Sequence, residues 1–345
     1  MRSPRLRAFL ATVLATTVAL LVGITLLPHD RYIRFQAAAR ESVYLLRLKW
    51  VYERIHFDPR PIDIAFIGTS HAQSGINAEL VEKALADEGR GGHVVNFSIP
   101  WLGRDLHYEI VKELLENRKV GTLVVEVQDI EPRAPHPAFT QIADLGDILA
   151  APAIFNVNYL DNFARLPLRQ MKLFLDTWFP SLSGLSPRFD PQSYEAYWDD
   201  TYRPHGTSQI REGIHPAAYF QPKVDALDRS RLSKQDIERR LTFPGMRYSL
   251  TSRYNMIYLE RLLELAKSKG SRIVFLYLPY FHGPEWPDKA AMFERYGPIL
   301  APREILADPG LWQNEDHLNV FGARLLSRWI AEQDGGRQLS PDGKV

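Results

Sequence analysis

Two short stretches of this chain carry residue types that could act on each other chemically. In residues 62–77, IDIAFIGTSHAQSGIN, Ser70 follows Gly68 at the end of an apolar run of Ile62, Ile64, Ala65, Phe66 and Ile67. A short run rich in β-branched and aromatic members, interrupted here by Asp63, reads as a buried strand. Open α/β sheets bind ligands beyond the carboxyl ends of their strands, so a hydroxyl here stands where a nucleophile would be displayed. Gly68 would permit a tight turn that aims Oγ outward. A Ser after a strand also serves ordinarily as the N-cap of the next helix. In residues 314–322, NEDHLNVFG, His317 precedes the amphipathic run 320–330, whose start Asn319 can cap. A Ser and a His in this chain order suit a nucleophile and its general base. Two residues could orient that imidazole: Asn314, three positions earlier, and Asp316, its neighbour. An Asn can hold the tautomer, but it does not stabilise an imidazolium as a carboxylate does.

The elements that must position this pair alternate as strand and helix. Pro59-Arg60-Pro61 breaks the preceding helix, and the globular domain is expected to start there. Ile76, Leu80, Val81, Ala84 and Leu85 recur at helical spacing, residues 89–92 make a turn, and 93–97 read as a second strand. After the loop 96–103, Leu106, Ile110, Val111, Leu114 and Leu115 form another helix stripe, and 122–127 a third strand. The pattern returns with a helix at 254–266, a stop at Lys269-Gly270, and a fourth strand at 272–278. Repeated units of this kind predict a parallel sheet with helices on both faces.

Ahead of this domain, Arg2, Arg5 and Arg7 precede an uncharged run, 8–27, about the 20 residues an α-helix needs to cross a bilayer. Leu26-Leu27-Pro28-His29 lacks a small-residue cleavage site, so the run is expected to be an uncleaved anchor with the following domain outside the cytoplasmic membrane. Residues 31–57 read as a helical segment leaving the membrane, its aromatic and basic side chains seated at the interface. The chain has no Cys, which suits an oxidising periplasm without requiring it. A net charge of +1 and the lack of a Lys/Arg stripe give no reason to expect nucleic acid. His136, His205 and His215 have no metal-ligand spacing; no metal and no cofactor are expected.

Residues 130–248 lose the alternation and become rich in proline and aromatics, among them Trp178, Tyr194, Tyr197, Trp198 and Tyr202. They read as an insertion with helical fragments at 154–174 and 234–241. Aromatic loops over a strand-end site can pack on sugar rings, although most such residues serve an insertion's own core.

The strand-Gly-x-Ser around Ser70 and the His317 block before the last helix resemble the SGNH (GDSL-like) hydrolase superfamily. In particular they resemble its membrane-anchored periplasmic branch, associated with acyl modification of envelope polysaccharides. The resemblance covers roughly residues 60–128 and 250–333. It implies an α/β, three-layer fold with a central parallel sheet, preceded by one transmembrane helix and carrying the large insertion. The expected division is 1–30 for the cytoplasmic tip and anchor, 31–58 for the juxtamembrane helix, 59–129 and 249–335 for the two parts of the domain, 130–248 for the insertion, and 336–345 for a flexible tail. By the same resemblance Ser70 and His317 are catalytic, with Asn314 or Asp316 orienting the base. The backbone N–H groups of Ser70 and Gly103 would form the oxyanion hole. Its third donor, an Asn in the family, has Gln128 as its counterpart here, beside Glu126 and Asp129, and a carboxylate facing an oxyanion would oppose catalysis. The activity implied is that of a serine esterase or O-acyltransferase on acetyl-type esters of an exported or cell-envelope polysaccharide, beside a membrane-bound O-acyltransferase. The departures at Gln128 and Asn314 leave open a non-catalytic accessory protein that binds glycan and positions it for that partner.

Overall fold

The computed structural model describes residues 4–101, 103–128, 135–156, 158–198, 214–239 and 243–333, with only the backbone given for 230–239 and 243–252. The tip at 1–3, Asp129, Tyr202, His205 and the tail at 336–345 lie outside the described residues. The chain begins with α1 (Pro4–Thr25), α2 (Arg31–Arg40) and α3 (Arg47–Phe57). Then come β1 (Ile62–Ile67), α4 (Ser70–Gly75), α5 (Ala78–Asp87), β2 (Val94–Asn96), α6 (Arg104–Asn117) and β3 (Val120–Val127). The insertion supplies α7 (Phe139–Ile142), α8 (Leu145–Leu149), α9 (Tyr159–Trp178), α10 (Pro180–Ser183) and α11 (Ala217–Arg239), and α12 (Phe243–Ser268) leads out of it. The chain closes with β4 (Arg272–Tyr277), α13 (Ala290–Phe293), β5 (Ile299–Leu300), α14 (Arg303–Ala307) and α15 (Val320–Glu332).

The five strands form one parallel sheet in the order β2-β1-β3-β4-β5. Side chains alternate between its faces. Ala65, Ile67, Leu123, Val125 and Phe275 pack in one core with α3, α6 and α12. Ile64, Phe66, Val124, Val274 and Leu276 pack in the other with α5 and α15. Because the connection from β1 runs to β2 on one side and the connection from β3 runs to β4 on the other, the β1/β3 boundary is the switch point where such sheets open a ligand crevice. Ser70 follows β1, and Glu126 and Gln128 stand at the end of β3, on that boundary.

Two expectations change. Residues 31–58 were expected as one interfacial helix; they form α2, a 3₁₀ turn at Val43–Leu45 and α3, and they belong to the core. Leu48, Val51 and Ile55 lie one helical turn apart on α3 and are fully buried, because the sheet face needs an apolar cover there. The buried Arg47 donates to Asn96 O, and the buried Arg54 pairs with Asp58 and donates to Tyr194 Oη and Ala196 O. Three of the insertion's aromatics, Tyr194, Tyr197 and Trp198, also sit elsewhere than over the strand ends. Tyr194 donates to Asp58, while Tyr197 donates to Glu82 and receives a bond from Arg60. Trp198 packs against Trp50. These rings gather where the chain enters β1, at the edge of the sheet opposite Ser70.

Gly68 is required for a reason other than turn conformation. Its backbone is not left-handed. A Cβ there would stand 2.6 Å from Glu126 Cβ and overlap the carboxylate. Gly68→Ala therefore forces β1 and β3 apart locally, and we expect it to lower stability by about 1–3 kcal/mol, the usual range for overpacking. Denaturant unfolding of the detergent-solubilised chain measures this; an unchanged midpoint would show that Glu126 moves aside freely.

Candidate active site

The site begins with a division of labour between two hydroxyl residues. Thr69 is the N-cap of α4, its Oγ1 accepting from His71 N at 3.2 Å. Ser70, the first helical residue, is thereby free of capping. Its Oγ lies 2.9 Å from His317 Nε2, and both side chains are half-buried. The buried Glu126 carboxylate holds the turn in place: it accepts from Thr69 N at 2.6 Å, Thr69 Oγ1 at 2.9 Å, Ala72 N at 3.3 Å and Gln128 Nε2 at 2.7 Å. A negative charge at the start of a helix suits the unpaired N–H groups there.

His317 is carried by a tight loop whose ends, Trp312 and Leu318, are bridged antiparallel. The buried Trp312 anchors it, its indole N–H donating to Leu306 O at 3.1 Å. Immediately after the loop, Asn319 caps α15, accepting from Phe321 N and Gly322 N at 3.0 Å each. Within the loop Asn314 Oδ1 is 3.0 Å from Asp316 N, 2.8 Å from His317 N and 3.0 Å from His317 Nδ1. Two backbone donors on that atom assign it as the amide oxygen, so Nδ1 must carry the proton. The Nε2 lone pair is then left facing Ser70, which donates to it. This is the tautomer a general base needs. Asp316 serves the loop through its backbone N–H; burial pushes its carboxyl up, with the charge of His71 opposing.

Of the residues proposed for an oxyanion hole, Ser70 is at the site and Gln128 is beside it, its Nε2 3.5 Å from Thr69 Oγ1 and 3.4 Å from His71 Nδ1. The amide of Gln128 donates to Glu126 Oε1. Gly103 caps α6, and a Cβ there would stand 2.8 Å from His136 Cα, so close approach of that backbone explains the glycine. Asp105 ties the two loops, accepting from His136 N at 3.0 Å, Leu106 N at 3.0 Å and Tyr254 Oη at 3.2 Å. Burial pushes the Asp105 carboxyl up to about 7 and the His136 imidazole down to about 4. No hydrogen bond among the described residues joins Gly103 or Gln128 to Ser70. Among the described residues, no group of three His, Asp or Glu could hold a metal ion.

The sequence reading gave no role to His71. Its ring meets that of His317 edge-on, with centroids 5.5 Å apart, and its Nδ1–H donates to Leu278 O at 3.1 Å, beyond the end of β4. Adjacency to Ser70 was the one signal available for it. No protein-family model matches this chain, and no curated protein matches its sequence.

Replacing Asn314 by Asp tests the orienting role. A carboxylate beside Nδ1 favours the charged imidazole and raises its pKa, commonly by roughly 1–3 units. The neutral base is then lost at a higher pH, so the acidic limb of the rate profile should move upward while turnover above it is preserved or raised. Asp316→Ala should leave the profile nearly unchanged; abolished activity with an intact fold would make Asp316 the orienter instead.

Proposed function

We propose that this chain is a serine esterase or O-acyltransferase of SGNH-like type, acting on acetyl-type esters of an exported or cell-envelope polysaccharide. The observation that supports it most is the 2.9 Å contact of Ser70 Oγ with His317 Nε2, made while Asn314 holds the proton on Nδ1. In the reaction proposed, Nε2 takes the Ser70 proton as Oγ attacks the ester carbonyl. Collapse of the tetrahedral intermediate breaks the bond to the departing alkoxide, which leaves with the proton from Nε2 and an acyl group on Ser70. Water or a sugar hydroxyl resolves that ester by the same proton path. The Ser70 N–H, with no acceptor among the described residues, is the donor available to the oxyanion.

A second reading, a glycan-binding accessory protein without turnover, draws on the engagement of Gln128 by Glu126 and on an amide where a carboxylate would neutralise the imidazolium. The discriminating experiment treats the chain with a serine-directed phosphonate and reads the peptide containing Ser70 by mass. An adduct there, and a loss of acetyl-esterase rate on the order of a thousandfold or more in Ser70→Ala, is expected. No adduct, with glycan binding intact in Ser70→Ala, would favour the accessory reading.

α1, long and apolar enough to cross a membrane and with no buried residue, supports a single-pass protein. In this proposal the α/β domain lies outside the cytoplasmic membrane, beside a membrane-bound O-acyltransferase. A reporter active only in the periplasm, fused after Val345, should be active; a signal from a cytoplasm-only reporter would reject the envelope setting.

A further inference from the structure

Helix α9 presents three distinct faces. Leu166, Gln170 and Leu173 point inward and are buried. Asp161, Arg165, Lys172 and Asp176 occupy a polar face, where Arg165 pairs with Asp161 and Lys172 with Glu41, while Arg169 turns inward and donates to Gln141 O and Ala143 O. Between these faces runs an exposed apolar stripe of Leu160, Phe163, Leu168, Met171, Leu175 and Trp178, from 40% to 80% exposed. At 3.6 residues per turn it is roughly 140° wide, the breadth of a buried helix face. It continues past the helix C-terminus into Phe179 and Leu182, the latter 86% exposed.

An unpartnered face of this size marks an interaction surface, and its position identifies the partner. α1 packs on α9 and on no other helix to a comparable extent. Residues 4–23 are exposed, and Ile24 and Thr25 at the end of α1 are partly covered. Gln170 Nε2 donates to Thr25 O, the last residue of α1, at 3.1 Å, and Asp30 N donates to Thr177 Oγ1 at 2.9 Å. A 22-residue helix is about 33 Å long, enough to cross the hydrocarbon, so Thr25 ends at the membrane boundary. The middle of α9 is therefore fixed at that boundary. Leu, Phe and Met on the stripe, Trp at its end and charged side chains on a separate face make up the pattern of a helix lying in an interface.

We propose that α9 lies in the interfacial layer of the bilayer, its apolar stripe immersed in lipid, and that it holds the α/β domain against the membrane in a fixed orientation as a second contact beside α1. This reading does not depend on the chemistry at Ser70. A protein partner would also cover an apolar face; lipid is favoured because the stripe sits where the span leaves the bilayer.

The natural absence of cysteine makes the test direct. Leu168→Cys, Leu175→Cys and, on the polar face, Arg165→Cys are introduced singly into the full chain, labelled with an environment-sensitive fluorophore and placed in nanodiscs of phosphatidylethanolamine and phosphatidylglycerol. Lipids carrying a nitroxide at a shallow acyl position should quench the labels at 168 and 175 several-fold more than the label at 165, with blue-shifted emission, since interfacial helices bury their apolar face about 5–10 Å deep. Equal quenching at all three sites overturns the proposal. So does a label at 168 or 175 that is water-exposed in pure lipid and shielded only in native membranes, a result that would assign the face to a protein partner.

Discussion

The buried carboxylate of Glu126 is the constraint around which this molecule is arranged. It reaches from β3 across the switch point of the sheet to the turn after β1, where three donors converge on it, with Gln128 Nε2 as a fourth from its own strand end. Stripped of those donors, a charge 2% exposed would be too costly to keep. With them it fixes Thr69 as the cap and leaves the next hydroxyl, Ser70, projecting into the crevice. The same approach excludes any side chain at position 68. One interaction thus accounts for the glycine, the capping threonine and the direction of the serine.

The other half of the site rests on a neutral orienter. Asn314 Oδ1 gathers three N–H groups and sets the tautomer of His317 as a carboxylate would, yet it contributes no charge when the imidazole becomes protonated. The pair Ser70–His317 is therefore preorganised in geometry and weaker in electrostatics than a full triad. Glu126 adds negative charge near the turn, though its donors already hold it in place.

The insertion is divided between the two ends of the sheet. Its aromatic segment packs back on α3 and Arg60, where the chain enters β1. Its α11 instead approaches the His317 loop: Phe220 packs on Phe281, Lys223 pairs with Glu315, and Tyr280 donates to Asp228. α9 ties the same insertion to the end of α1. A segment without strand periodicity thereby braces both the Ser70–His317 end and the α1 end of the domain.

Much of this was legible in sequence. The apolar runs ending at Ile67, Val127 and Tyr277 could be read as strands, since a strand buried on both faces has a continuous apolar signature. The apolar helix α1, the Ser70 and His317 stretches and the Asn319 cap were equally local. What tertiary structure decided was everything that depends on partners distant in the chain. The two residues of β5 carry no pattern of their own and become a strand only through pairing with β4. Arg47 and Arg54 looked interfacial because a charged helix face ordinarily is; acceptors contributed by Asn96, Asp58 and Ala196 allow their burial. Gly68 and Gly103 are glycines because Glu126 and His136, far along the chain, come too close for a Cβ, and no local spacing encodes that approach. Which oxygen orients His317 was likewise undecidable between Asn314 and Asp316 until the loop's backbone N–H groups were seen to converge on Asn314.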